Sequence, residues 1–178
     1  MNNLITDSSN KLYIITSYFE GKHYGMIASW ICLASLMTEQ VRFILCLSKF
    51  NHSAKAILIT KKFILQAIRE SDYEMAYIFG AKHSEEFDKF ENINIRLHES
   101  GIKICNRDAK FMNVNVEQIM DTKDRYILYC VGSESGEDNE KFPPLTQEKF
   151  LNFLNEEQAT VIKMKFSKDI LKANSAFV

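Results

Sequence analysis

The sequence predicts a mainly β domain with helices set against it, on three observations. Strand-like runs follow at short spacing at residues 12–19, within 21–35 and at 41–48. The hydrophobic period then switches to helical over two short stretches, one after Ser53 and one ahead of Gly80. Alternation returns at 111–120, followed by an apolar run at 125–131. Three strands so closely spaced favour a meander or the wall of a barrel. At 178 residues, 46% hydrophobic and 12% aromatic, the chain suits one core. The whole of 1–178 is read as a single domain, with an N-terminal arm over 1–10 and a C-terminal extension over 155–178.

Residues 12–19 (LYIITSYF) are aromatic and β-branched, as a strand requires, and the turn at Glu20-Gly21-Lys22 joins them to residues 21–35 (GKHYGMIASWICLAS) as a hairpin. The second run carries small residues, Gly25, Ala28, Ser29 and Ala34, where a buried strand normally carries branched ones. A strand that gives up side-chain volume admits either another backbone or a flat ligand, or it faces large core neighbours. Residues 35–40 make a polar connection to 41–48 (VRFILCLS), whose nearly continuous apolar character suggests a strand covered on both faces.

After residues 48–53 (SKFNHS) the apolar positions Ala54, Ile57 and Leu58 take helical spacing, and Asn51 or Ser53 supplies the cap. A loop bearing Lys49, His52 and hydroxyls that opens into a helix N-terminus is chemically suited to a phosphate, because the first amides lack partners and the dipole end is positive. The same residues also suit a plain capped helix start. Residues 63–68 (FILQAI) return to strand character. Ser71-Asp72-Tyr73-Glu74 reads as a capping box ahead of Met75, Ile78 and Phe79, with the helix ending at Gly80.

Residues 111–120 place Met112, Val114, Val116, Gln118 and Met120 on one face and Asn113, Asn115 and Glu117 on the other. Residues 125–131 form the buried partner, with the turn at 121–124. Residues 132–141 (GSESGEDNEK) are acidic and free of aromatics, a solvated loop. Pro143-Pro144 precede a short helix over 146–154, and the alternating patch at 161–166 (VIKMKF) suits an edge strand or a dimer contact.

Several function classes are disfavoured. The formal charge is −1 and no basic run exceeds Lys61-Lys62, so nucleic-acid binding through a charged face is not expected. The first residues lack the basic segment and apolar core of a secretory signal. No apolar stretch approaches the roughly 20 residues that span a bilayer, so a soluble, cytoplasmic protein is expected. Cys32, Cys46, Cys105 and Cys130 sit in apolar runs without metal-ligand spacing, as buried thiols of a reducing compartment do. His23, His52, His83 and His98 make no motif with them, and no zinc site is expected.

Taken in order, Thr16-Ser17, Gly25-Met26-Ile27-Ala28-Ser29-Trp30, Ser35, the strand entering 49–53, residues 63–68, Phe79-Gly80 and Phe87-Asp88-Lys89-Phe90 resemble the flavin reductase-like family of FMN-binding split-barrel proteins. Flavoredoxin-type members are the most similar. The resemblance implies an antiparallel Greek-key split barrel with flanking helices, a homodimer, and FMN near the subunit interface. It sets Ala28, Ser29, Trp30 and Ser35 along the isoalloxazine, with Met26 also among the cofactor-binding residues. Ser48, Lys49, Asn51, His52 and Ser53 fall near the flavin phosphate. Partners implied are NAD(P)H or a protein electron donor, and no catalytic side chain or metal ligand is assigned. Three departures stand out. Thr38 occupies a position where the family commonly has proline, and Gln66 one where it often has asparagine. Lys123 and Arg125 replace the glycine and histidine of the Gly-Asp-His segment of nicotinamide-using reductases, which shifts weight toward electron relay. A flavin-binding or interaction module without turnover is the alternative.

Overall fold

A computed structural model describes residues 10–37, 39–84, 87–105, 110–135 and 143–177; Thr38 lies outside them. The expected hairpin is present. Strands β1 (Tyr13–Phe19) and β2 (Lys22–Ala28) pair antiparallel from Phe19 against Lys22 to Tyr13 against Ala28. Glu20 and Gly21 make the turn at φ of 50° and 78°, the two left-handed residues that a two-residue hairpin loop needs.

The run at 21–35, read as one strand, is two. β2 stops at Ala28, Ser29 and Trp30 form a link, and β3 (Ile31–Leu33) pairs with β4 (Val41–Ser48). The remaining strands of this sheet are β5 (Lys62–Ala67), β8 (Phe111–Asp121) and β9 (Arg125–Ser135), and the seven lie in the order β2-β1-β5-β8-β9-β4-β3. A second, two-stranded sheet, β6 (Ile95–Leu97) with β7 (Lys103–Cys105), has no counterpart in the sequence reading.

β2 and β3 therefore stand at opposite ends of the order although only Ser29 and Trp30 separate them in the chain. Three Cα steps of 3.8 Å reach at most about 11 Å. The two edges must approach each other, and the mostly antiparallel sheet curls into a split half-barrel with flanking helices. This corrects the picture of three neighbouring strands: β4 pairs with β3 and β9, and the hairpin β1–β2 belongs to the other edge.

Two apolar clusters hold the layers. One joins Ile15, Met26, Phe43, Leu45, Leu47, Phe63, Val116 and Leu128 of the sheet to Ala54 and Ile57 of α1 (His52–Thr60). The other sets Leu12 and Ile14 against Ala76 and Phe79 of α2 (Tyr73–Ala81), Phe150 of α3 (Gln147–Phe153) and Ile162 of α4 (Glu156–Ser175). Each of the larger side chains, Leu, Ile, Val, Met or Phe, contributes about 1.5–3 kcal/mol on burial. β1, with Ile15 in one cluster and Ile14 in the other, is covered on both faces, and so is β5, whose Phe63 and Ile64 belong to different clusters. β4 alternates instead, burying Phe43, Leu45 and Leu47 between partly exposed residues, because only one of its faces meets the core.

α2 docks on β2 through two reciprocal glycine contacts. A Cβ at Gly25 would lie 2.2 Å from Phe79 Cε1, and one at Gly80 would lie 2.8 Å from Ile27 Cδ1. The volume given up at Gly25 thus admits the Phe79 ring. α2 is preceded by a 3-10 turn at Glu70–Asp72 and has Asp72 as its N-cap without a side-chain cap bond, so the expected Ser71–Glu74 box is not formed, and the helix ends at Ala81. In β8 the alternation breaks at the bulge of Glu117 between Val116 and Gln118, leaving Met120 exposed; the register shift at Asn113 and Val114 places its extra residue, Ser133, in β9. β9 continues through Ser135, so Gly132–Ser135 of the expected loop are strand; residues 136–142 lie outside the described ones.

At the C-terminus the edge-strand expectation is overturned. Residues 161–166 lie within α4, a helix of 20 residues, and add no strand. Asn155 accepts from Gln158 N at 2.9 Å while Gln158 Oε1 accepts from Asn155 N at 3.1 Å, a capping box that starts the helix ahead of the alternating patch. Among the described residues no helix is long and apolar enough to cross a membrane.

Candidate functional site

One end of the barrel gathers four segments: the β2–β3 link, the loop from β4 into α1, the β8–β9 turn and the C-terminal end of α4. Pairing of β4 with β9 sets Ser48 against Arg125 and Leu47 against Tyr126. The loop and the turn are then tied by the Lys49 amide, which donates to Asp124 O at 3.1 Å. Trp30 joins through its carbonyl, which accepts from Cys46 N at 3.1 Å.

Charges are concentrated here. Lys49 forms an ion pair with Asp121 and lies 5.1 Å from the centroid of the Tyr126 ring. Arg125 stacks at 4.6 Å over Trp30 and donates from Nε to Asp124 Oδ2 at 3.0 Å. Trp30 nevertheless keeps 53% of its surface exposed, an aromatic plane open to solvent beside two cations.

α1 starts at Asn51, whose Oδ1 accepts from Ser53 N at 3.0 Å. Asn51 is therefore the cap, and Ser53 is not. The first turn of α1 carries no acidic residue, so its positive dipole end is not neutralised within the helix. The loop itself is shaped by Ser48, whose Oγ accepts from Phe50 N at 3.3 Å and whose carbonyl accepts from Asn51 N at 3.2 Å. His52 is exposed and meets the His83 ring edge-on at 6.1 Å.

Ser53 points the other way. It is 3% exposed, and its hydroxyl donates to Gly25 O at 3.2 Å, where Lys89 Nζ also donates at 2.8 Å and Ser84 Oγ at 3.4 Å. This buried cluster locks β2 to α1 and α2, since Lys89 also donates to Phe79 O at 3.0 Å. Burial, reinforced by repulsion from Lys165, pushes the Lys89 ammonium down to about 7.

The donor set fits a flat ligand with an anionic end: an exposed indole next to small residues, a lysine and an arginine each paired with an aspartate, and a helix start free of acids. A groove of about 360 Å³ bounded by Asp72, Glu74, Met75, Ile78 and 92–94 is rimmed by acids and unsuited to an anion. Among the described residues no group of three His, Cys, Asp or Glu side chains could hold a metal.

The model of the family described as "Flavin reductase like domain" matches residues 6–145, most of the chain. The chain belongs to that flavin reductase-like family. A diflavin flavoprotein of Nostoc sp. is 26% identical over 123 residues, which are 68% of this chain and 21% of that protein. The ferric-chelate reductase (NAD(P)H) of Archaeoglobus fulgidus is 28% identical over 99 residues, 55% of this chain and 57% of the relative. The chain thus spans about a fifth of one and somewhat more than half of the other. In structure, nitrilotriacetate monooxygenase component B from Mycobacterium thermoresistibile superposes with a TM-score of 0.70 at 23% identity, over 80% of this chain and 78% of that one. The split-barrel fold of flavin reductases is therefore shared.

Set against this family fold, the sequence-derived residues separate into three groups. Ser29, Trp30, Ser48, Lys49, Asn51 and His52 come together around the Lys49 loop. Met26 and Ala28 turn their side chains into the core, as does Ser53. Ser35 lies toward the opposite end of β4, where Ala34 N donates to Arg42 O at 2.8 Å and Ser35 Oγ accepts from Met37 N at 3.1 Å. At about 3.3 Å per residue it is roughly 20 Å from the loop. Asp121, Asp124, Arg125 and Tyr126 join the site without any local sequence signal. Their signal is the β4–β9 register, which no local pattern reveals.

Proposed function

We propose that the chain is an FMN-binding oxidoreductase that reduces flavin or relays electrons through it. The observation that carries this reading is the convergence of the exposed Trp30 plane, the Lys49 loop and the acid-free start of α1 at one end of a flavin reductase-like barrel. Lys49 and the positive dipole end of α1 would hold the phosphate, with Ser48, Asn51 and His52 shaping the loop and Ser53 bracing it from the core. Ser29 and the backbone beside Met26 and Ala28 would lie along the ring, with Ser35 at the far end of β3. Bound FMN accepts a hydride or passes electrons singly or in pairs, so no acid–base dyad is required of the protein. Trp30, braced by Arg125, would shield the ring from water.

Two donors fit this chemistry. A nicotinamide nucleotide is the donor named for the Archaeoglobus relative. A protein donor is favoured by the Arg125 side chain, which is engaged with both Trp30 and Asp124 at the position where nicotinamide-using reductases carry histidine. A homodimer is part of the same reading, supported by exposed Val161 and Met164 on the first half of α4. A reducing, cytoplasmic setting fits the four free thiols.

The test is the visible spectrum of protein purified without added flavin, followed by titration with FMN, FAD, NADH and NADPH. Flavin bands bleached by a pyridine nucleotide support the reductase. Bands that bleach only with a protein or chemical reductant support the relay, and a protein that ignores both flavins is a non-catalytic module. Lys49→Ala is expected to weaken FMN binding about tenfold or more, equal to about 1.4 kcal/mol.

A further inference from the structure

We propose that the C-terminal helix is a reversible cover over the cofactor-phosphate loop, which makes the flavin a retained prosthetic group and not a substrate exchanged at each turnover. The inference rests on the flavin reading above and goes beyond the family domain, whose match ends at residue 145, before α3 and α4 begin.

α4 is held in two different ways along its length. Its first half is anchored: Ile162 is buried against α2, and Lys165 Nζ donates to Gly80 O at 2.5 Å. From Lys165 to Lys172 the helix advances about 10 Å at 1.5 Å per residue. There it meets the site. Lys172 Nζ lies 5.5 Å from the centroid of the Phe50 ring, in the loop between Lys49 and Asn51. Phe177, just past the helix, receives Lys123 Nζ at 5.1 Å, in the turn that also supplies Asp121 and Asp124 to Lys49.

The last turns of α4 thus bridge both segments between which the phosphate would sit. Phe166, Ile170 and Leu171 stay exposed between the two anchorages, so the C-terminal half has little apolar packing to fix it. Cation–π contacts at exposed positions are weak enough to break and re-form. The helix can therefore lift at its end while its start remains docked, and flavin must wait for that lifting to leave.

The experiment compares the full-length protein with Lys172→Ala/Phe177→Ala, both exposed positions. FMN is loaded, excess is removed, and dissociation is followed by the return of flavin fluorescence on dilution. The double variant is expected to release FMN about fivefold faster or more, the effect of losing two exposed cation–π contacts. Amide exchange at residues 50–53 of the flavin-free protein should also quicken in the variant. A double variant that releases FMN at the wild-type rate overturns the cover and leaves the flavin reading standing. Unchanged exchange at 50–53 overturns the cover without reference to flavin. A wild type that binds no FMN overturns both.

Discussion

The Gly25 carbonyl, with Lys89, Ser53 and Ser84 all directed at it, makes a prediction about pH. Lys89 is 4% exposed, and its ammonium titrates near 7 where an exposed lysine titrates near 10.5, chiefly through burial and then through Lys165. Between about pH 7 and 10.5 the unfolded chain keeps this proton and the folded chain gives it up, so raising the pH across that window stabilises the fold. Lys165, itself lowered by burial, acts in the same direction. His23 is lowered by burial and by Lys103 against the pull of Asp88, so it changes charge below this window. Urea midpoints at pH 7 and pH 9 should therefore rise more steeply for wild type than for Lys89→Met; equal slopes would show that folded Lys89 keeps its proton across this range. None of this was legible beforehand. Phe87-Asp88-Lys89-Phe90 marks a resemblance, but that a lysine there would be buried depends on Gly25, far away in the chain.

Among the elements, α1 was read most fully, because its signals are local: Asn51 caps, and Ala54 and Ile57 face the core. Asn51→Ala should cost about 1 kcal/mol in denaturant unfolding. It removes the acceptor of Ser53 N and leaves that amide unpaired at a helix start. A variant as stable as wild type would mean that the loop itself satisfies the amide. α4 was misread for an equally definite reason. Six residues with period two can also belong to a helix, where Ile162 and Phe166 fall one turn apart and the lysines between them reach around the cylinder. The deciding signal, Asn155 with Gln158, lay ahead of the patch. In β8 the bulged Glu117 defeats simple alternation, and its carboxylate is occupied by Arg42 at 2.8 Å, a cross-strand partner invisible to a local reading.

At the scale of the molecule, the existence and type of most strands could be read from residues, and their neighbours could not. The small residues around Ser29 and Trp30 signalled something unusual. That something proves to be the closing link of the barrel as well as a wall of the proposed flavin site. The same arrangement has a kinetic consequence. The hairpins β1–β2 and β8–β9 close on their own turns and form within microseconds. Pairing β4 with β9, by contrast, brings together segments distant in the chain, and such closures set the pace of folding. Lys49 meets Asp121, and Trp30 meets Arg125, only when that slow step is over. In stopped-flow refolding, FMN should leave the folding rate unchanged and slow unfolding alone, since it has nothing to grip until the barrel has shut. A folding rate that climbs with FMN would instead place the loop and the turn together early, before the strands that carry them are joined.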